Sequence, residues 1–467
     1  MRIANTDGAA HDFTWVFADT DLESQQPWLH TAATSSFNVF SGQADTFSVT
    51  VTNRGTGSAT LAAGIAPGLG FVVTTVPPAI PPNGSGDLII TYTGAAAPGS
   101  VTAVYTVNST PSDSTAVPGS SAHNNQVQLT AITRQIEAVF LLDASGSMAY
   151  TPEGGTAALP DQARWAKLKA GAAQSWDLLL GFAAGKGKFA VAAFPDITTG
   201  VVPAPVPSSK VLLPRSDISA ANVTTAQTAI DAHTPVQHGG GTPMGHGLGT
   251  AIGSLPASFG LFLNTAAAKD FNERFLILQS DGANNSPAPG VHPQPADFYP
   301  PGAAAGTSFV DKKISVIAVG YGREGTPFEV DDNLLKALAL NSVGGGYFLD
   351  AYADDSGMAL RKQFRQSIVN GLHLDPTVDP HGFLTAALPE ARHEIAVLPF
   401  DTKVAFVVDW VTRNAPIRVS LVTPLCEVIT EQSAATLPGV FFRTDAFHRT
   451  FIFDEGFLRN DAAPTRP

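Results

Sequence analysis

The chain has 467 residues, more than one hydrophobic core usually spans, so two or three domains are expected. Hydrophobic residues make up 44% and charged residues 14%, with 43 Gly and 35 Pro, which excludes a disordered chain and points to a folded, loop-rich protein with much strand. Lys and Arg number 27 against 40 Asp and Glu, a formal charge of −13 without any basic run, and this argues against nucleic acid as a partner.

Cys426 is the one cysteine, so neither an intrachain disulfide nor a thiolate metal cluster can form. The opening "MRIANTDGAAHDF" lacks the apolar core of a secretory signal, and no apolar run reaches the roughly 18 residues of a membrane helix. The expectation is an extracellular or surface protein exported by a non-classical route, with the cytoplasm as the alternative.

Residues 1–134 read as a β-sandwich. In "DTFSVTVTNRGTGSATL" (45–61), Phe47, Val49 and Val51 alternate onto one face before a turn through Asn53 to Gly57. Further strands are expected at 69–76, 87–94, 101–107 and 125–131, a spacing that fits an immunoglobulin-like module. The stretch "VTVTNRGTGSATL" resembles the immunoglobulin-like repeats of bacterial surface proteins.

From 135 to 373 strands alternate with helices. Ala138–Leu142 is a continuous apolar run, as a parallel strand covered on both faces requires. In "DQARWAKLKAGAAQSWDLLLGF" (161–182), Trp165, Leu168, Ala172, Trp176 and Leu179 recur at helical spacing. Strands are expected at 188–194, 274–280 and 314–322, and helices at 220–233, 244–254, 331–340 and 356–371. This order predicts a doubly wound α/β sheet. After 374 helices vanish, and 402–413, 417–424 and 439–453 predict a β-rich region, either independent or packed with the first.

The chemistry concentrates where the apolar run ends, in "AVFLLDASGSMAY" (138–150). Asp143, Ser145 and Ser147 stand at alternate positions of the turn after the first α/β strand, and the crevice of an open α/β sheet lies at the carboxyl ends of its strands. Thr242 sits in the glycine-rich "HGGGTPMGHGL" before a helix, and Asp281 follows the strand in "LILQSDGANN". Two carboxylates and three hydroxyls are hard oxygen donors, suited to Mg²⁺, Mn²⁺ or Ca²⁺. A lone Asp-x-Ser-x-Ser is explained by Asx and ST turns without any metal; the ordered set, each member at a strand end or a helix start, is the stronger signal.

On these residues the chain from about 135 to 373 resembles a von Willebrand factor type A domain, whose metal-ion-dependent adhesion site carries Asp-x-Ser-x-Ser, a later Thr and a later Asp. The resemblance implies that Ser145, Ser147 and Thr242 coordinate the cation directly and Asp143 and Asp281 directly or through water. "FP" followed by Asp196 resembles the family's Phe-Ser-Asp turn, with Pro195 a departure, and "GGGYFLDAYADDSGMALRKQF" (344–364) resembles its last strand and helix. The implied partner is a protein presenting an Asp or Glu carboxylate that completes the metal's shell.

Enzymatic readings find little support. His393-Glu394 lacks the second His of a zinc protease, "GKGK" (185–188) is not a phosphate-binding loop, and no G-x-S-x-G elbow exists. The histidines near the rim do not show a zinc spacing. The aperiodic, proline-rich stretch 286–308 leaves the sheet beside Asp281, so it is expected to shape partner choice, with Phe298 and Tyr299 as contact residues.

Three functions are compatible with this reading: a non-enzymatic cation-dependent protein-binding module, a structural component of a surface or secretion assembly with a fold-stabilising metal, and a type A subunit of an ATPase- or chelatase-type complex.

Overall fold

The computed structural model describes residues 26–61, 69–111, 125–195, 209–235, 241–253, 260–281, 284–285, 293–322, 330–350, 356–375, 379–380, 382–398, 401–423 and 426–459. Asp196, part of 286–308 and part of 344–364 lie outside them. The protein is mixed α/β, and the chain divides into two compact units. One comprises residues 1–39, 44–94 and 100–132, and the other comprises 40–43, 95–99 and 133–467.

Among the described residues nine strands run through the N-terminal region: β1 (Leu29–Thr31), β2 (Thr34–Phe40), β3 (Ala44–Asn53), β4 (Thr60–Leu61), β5 (Phe71–Thr75), β6 (Ser85–Thr93), β7 (Gly99–Thr106), β8 (Ser109–Thr110) and β9 (Gln126–Arg134). They form an antiparallel sheet ordered β1-β3-β6-β5, a second sheet β2-β9-β7 and a small β4-β8 pair. Alternation decides which side chains go inward: Leu88, Ile90 and Tyr92 of the first sheet and Val127, Leu129 and Ala131 of the second enter one shared core. Strands expected at five places match β3, β5, β6, β7 and β9. The short β1 and the half-exposed β2 carry too little periodicity to have been read.

The second unit is built on β10 (Ile136–Asp143), β11 (Gly187–Phe194), β12 (Lys210–Asp217), β13 (Glu273–Ser280), β14 (Ser315–Gly320) and β15 (Tyr347–Asp350), in the order β12-β11-β10-β13-β14-β15. All neighbours are parallel except the edge strand β12, which runs antiparallel to β11 with register shifts around Val191. That strand was not expected: Pro214 interrupts it, and proline is tolerated only at an edge or a bulge.

Its helices are α1 (Arg164–Ala183), α2 (Ala220–Ala232), α3 (Met244–Ile252), α4 (Ala266–Phe271), α5 (Asp332–Leu340) and α6 (Met358–Gly371). β10 is buried along its whole length because it has two faces to fill. Ala138, Phe140 and Leu142 pack with Trp165, Leu168 and Trp176 of α1 and Phe364 of α6. Val139 and Leu141 pack with Met244 and Leu248 of α3 and Leu335 of α5. Helices α1 and α6 approach closely because position 171 is glycine; a Cβ there would lie 2.7 Å from the Phe364 ring.

At the N-terminal end of β10, Glu137 is buried and held by two guanidiniums, Arg215 at 2.6 Å and Arg274 at 3.0 Å. It also accepts the Leu263 N–H at 3.2 Å, so it closes this end of the sheet.

The C-terminal region adds β16 (Lys403–Asp409), β17 (Ser420–Val422), β18 (Val428–Thr430), α7 (Glu431–Ala434), β19 (Val440–Thr444), β20 (His448–Asp454) and α8 (Glu455–Leu458). The absence of helices expected after 374 is corrected by α7 and α8. Four residues are too few to show a 3.6-residue period, and only their caps betray them, Thr430 accepting the Ser433 N–H and Asp454 the Phe457 N–H.

The sheet β16-β20-β19 uses both faces. Ile452 enters the core under α1, and Phe451 and Phe453 join Ile429 and Phe457 on the reverse side. A Cβ at Gly181 of α1 would sit 2.0 Å from the Ile452 Cδ1, and the Lys403 ammonium donates to the Gly181 carbonyl at 2.8 Å. Asp409 receives two guanidiniums from α6, Arg361 at 3.3 Å and Arg365 at 3.0 Å, and Arg361 also donates to the Trp410 carbonyl.

Because Arg361 is almost fully buried, its removal would break a buried ion pair, leaving Asp409 to Arg365 alone and the Trp410 carbonyl without this donor. Arg361→Ala is expected to cost about 3–5 kcal/mol in urea unfolding. A loss below about 1 kcal/mol, the level of an exposed pair, would contradict the proposed seating of this sheet.

Candidate metal centre

Asp143 is the last residue of β10, and the ladder continues one step beyond it, the Ala144 N–H donating to the Phe194 carbonyl at 2.7 Å. The chain then turns sharply. Asp143 Oδ1 accepts the Ser145 N–H at 2.8 Å, and residues Gly146–Ala149 form a single 3₁₀ turn that lifts Ser147 above the strand end. On the neighbouring strand Ser280 ends β13 and donates its hydroxyl to Asp143 Oδ2 at 2.6 Å; Asp281 follows at once. Adjacent parallel strands thus deliver Asp143 and Asp281 to the same edge.

The hydroxyls link them. Ser147 Oγ donates to Asp281 Oδ1 at 2.7 Å, which leaves Ser145 Oγ as the donor across the 2.9 Å separation to Ser147 Oγ. Four of the five residues singled out in the sequence therefore form one connected group. Asp143, Ser145 and Asp281 are at most 1% exposed and Ser147 is half-buried, so the group reaches solvent through Ser147.

Thr242 lies just before α3 and is 3% exposed. Its N–H donates to Asn285 Oδ1 at 2.6 Å, and the Gly245 N–H reaches Asn284 Oδ1 at 3.4 Å, which ties the start of α3 to the segment after Asp281. Among the described residues no hydrogen bond joins the Thr242 hydroxyl to the other four.

Two partners were missed by sequence reasoning. Ser280 stands next to Asp281 in "QSDG" and could have been read as a strand-end hydroxyl. Arg164 gave no signal beyond opening an amphipathic helix, yet it is fully buried and donates to Asp281 Oδ2 at 2.8 Å, the Pro152 carbonyl at 2.8 Å and the Thr151 carbonyl at 3.2 Å.

The electrostatics follow from burial. Loss of water around Asp143, with the Asp281 charge nearby, pushes its carboxyl up to about 7 against the opposing hydrogen bonds from Ser145 and Ser280. Burial also raises Asp281, although Arg164 and Ser147 pull the other way. The group holds two acids and one permanent cation, so full ionisation leaves it one positive charge short.

The donor set fits a hard divalent cation. Adjacent oxygens on an octahedral Mg²⁺ at about 2.1 Å are about 3 Å apart, close to the 2.9 and 2.7 Å that separate Ser145, Ser147 and Asp281. Among the described residues no group of three or more His, Cys, Asp or Glu able to hold a metal occurs, and the candidate donor set counts hydroxyls as well as carboxylates.

Phe298, expected as a partner contact, needs correction. It is 2% exposed and packs in the core under α3, its ring 6.2 Å from Phe309, because the 3₁₀ turn Pro295–Phe298 folds it inward. Tyr299 is half-buried against the same core.

No protein-family model matches this sequence, and no curated protein matches it. Among solved structures the chain is similar to a von Willebrand factor type A protein from Catenulispora acidiphila, at 15% identity and TM-score 0.34, over 76% of this chain and 60% of that one. It is also similar to the PilB minor pilin from Streptococcus sanguinis, at 13% identity and TM-score 0.33, over 76% and 80% of the two chains. A third likeness is to the vWF domain of the type V pili tip protein Mfa5 from Porphyromonas gingivalis, at 13% identity and TM-score 0.29, over 54% of this chain and 98% of that domain. The chain thus spans less than two thirds of the Catenulispora protein, and likenesses this distant transfer no residue roles.

The raised Asp143 carboxyl has a defined sign. A group protonated more readily in the folded state supports folding below its unfolded value near 3.8, and that support is lost as pH rises through about 7. Without divalent cations the melting temperature is expected to fall between about pH 4 and 7, and Asp143→Asn is expected to flatten the profile. An unchanged slope in that variant would assign the dependence to other groups.

Proposed function

We propose that residues 135–373 are a doubly wound von Willebrand factor type A domain acting as a non-enzymatic, divalent-cation-dependent protein-binding module. In sequence it is flanked by an immunoglobulin-like β-sandwich (1–134) and a β-rich region (374–467) that serve as spacer or docking surface. The observation that carries this reading is the connected group of Asp143, Ser145, Ser147 and Asp281, four residues at and just beyond two adjacent strand ends, linked at 2.7–2.9 Å and, with Arg164 counted, short of one positive charge.

In this reading Asp143, Ser145, Ser147, Thr242 and Asp281 hold Mg²⁺, or Mn²⁺ or Ca²⁺, directly or through water. When bound, the ion offers an open coordination position to a partner's Asp or Glu carboxylate. The chain's own contribution is pre-organisation. The Asx turn fixes Asp143, Ser280 anchors its second oxygen, and the serine relay aims Asp281 Oδ1 into the group. Ser147 is the half-buried member, and this marks the direction from which a partner's acid group would approach.

A surface or extracellular setting fits such a module. Among the described residues no helix is long and apolar enough to cross a membrane.

A second reading, a fold-stabilising metal in a structural component, draws on the complete burial of Asp143 and Asp281. One experiment separates the two. Binding to a panel of Asp- or Glu-bearing peptides and proteins is measured with Mg²⁺ and with EDTA, alongside the melting temperature.

Cation-dependent binding that Ser145→Ala reduces at least about tenfold, with a modest change in melting, is the expected result. A large melting shift without cation-dependent binding would favour the structural role. The absence of any Mg²⁺ or Mn²⁺ effect on either would sink the metal reading.

A further inference from the structure

We infer that Arg164 is the built-in counter-cation of the candidate metal centre. It fixes Asp281 as a one-oxygen ligand, which sets both the strength and the selectivity of cation binding; the inference rests on the metal reading given above. Arg164 is the first residue of α1 and is fully buried, and its guanidinium spans three acceptors: Asp281 Oδ2 at 2.8 Å, the Pro152 carbonyl at 2.8 Å and the Thr151 carbonyl at 3.2 Å. Two of the three are main-chain oxygens of the loop that follows Ser147. The fork is therefore held by the fold itself, independently of Asp281.

The first consequence concerns orientation. With Oδ2 committed to Arg164, Asp281 presents Oδ1, the oxygen that receives the Ser147 hydroxyl, to the rest of the group. Asp143 is fixed by similar means, one oxygen taken by the Ser145 N–H and the other by the Ser280 hydroxyl. These hydrogen bonds oppose rotation of either carboxylate, so bringing both oxygens of one onto a single ion would strain buried bonds. Ca²⁺ favours six to eight oxygens and readily takes carboxylates in bidentate fashion, whereas Mg²⁺ and Mn²⁺ accept six single-oxygen ligands. Arg164 thus biases the centre toward the smaller ions.

The second consequence concerns charge. The Arg164 guanidinium carries one positive charge and so cancels one of the two acidic charges. A divalent ion then meets a net charge of one rather than two. It is held less tightly than two free carboxylates would hold it, and it keeps more of its positive charge for an incoming acid group. Arg164 is in this sense a positioning residue, acting through Asp281 and outside the coordination shell.

The test uses the full chain with Mn²⁺ as the probe, its binding followed by loss of the free-ion EPR signal, and with Mg²⁺ and Ca²⁺ as competitors. Wild type is expected to bind Mn²⁺, with Mg²⁺ competing better than Ca²⁺. Arg164→Met is expected to bind Mn²⁺ about tenfold tighter or more, with Ca²⁺ gaining on Mg²⁺ by a similar factor. Arg164→Lys, which keeps the charge, should stay within about threefold of wild type for Mn²⁺.

Folded Arg164→Met with equal or weaker Mn²⁺ affinity overturns the inference while leaving the metal centre standing. Failure of wild type to bind Mn²⁺ removes the metal reading and this inference together. Should Arg164→Met not fold, Asp281→Asn is compared with Asp281→Asn combined with Arg164→Met. Tighter Mn²⁺ binding in the double variant supports the counter-cation role, and equal binding overturns it.

Discussion

The second unit depends on how buried acids are balanced at the two ends of its central sheet. A carboxylate out of water is costly unless it is paired and fully hydrogen-bonded, and β10 carries one at each end, Glu137 and Asp143. Between them lies an unbroken apolar strand that takes helices on both faces, so neither acid can relax into solvent without disturbing the core. The strand's register with β11 and β13 sets where each acid emerges. Helix placement, the turn after Asp143 and the closure at Glu137 are all arranged around that constraint.

Outside this sheet the same logic seats the C-terminal strands. β20 sends Ile452 to the α1 side and Phe451 and Phe453 to the other, so a period of two builds two cores from a single strand. Glycine at 181 makes the approach of Ile452 sterically feasible, and Asp409 between Arg361 and Arg365 fixes the lateral position against α6. Apolar interlock supplies the attraction and the ion pairs supply the registry. Residues 403–459 therefore belong structurally with the α/β sheet.

Much of this was legible in the sequence where physical periodicity is strong. The apolar run 138–142 suits a parallel strand covered on both faces, and Trp165, Leu168, Ala172 and Trp176 recur at helical spacing. Asp143, Ser145, Ser147 and Asp281 were readable because strand ends in such a sheet converge at one edge, so position along the chain already implies position in space. The edge strand β12 was not readable, since Pro214 and half-exposed residues blur its alternation, nor were the four-residue helices α7 and α8. Phe298 was misread because a proline-rich stretch looks like a surface loop, while one 3₁₀ turn suffices to bury its aromatic ring. Arg164 was invisible for a deeper reason. Its role comes from a contact with a residue 117 positions away, and nothing local distinguishes it from an ordinary basic residue at a helix start.

The charge balance itself separates scaffold from site. Glu137 has two guanidiniums for one carboxylate, Arg215 and Arg274, and Asp409 likewise has Arg361 and Arg365. Both are overcompensated, as befits acids whose task is to hold elements in place. At the opposite edge two carboxylates, Asp143 and Asp281, share Arg164, and hydroxyls fill positions where further cations would otherwise stand. The protein has arginines to spend on buried acids and uses two of them at each structural pair. The shortfall at Asp143 and Asp281 is therefore local to this edge rather than a general feature of the unit. On the proposed reading, this charge-deficient cluster of hard oxygens, opening toward solvent through one serine at the carboxyl ends of parallel strands, takes a positive charge from outside the chain.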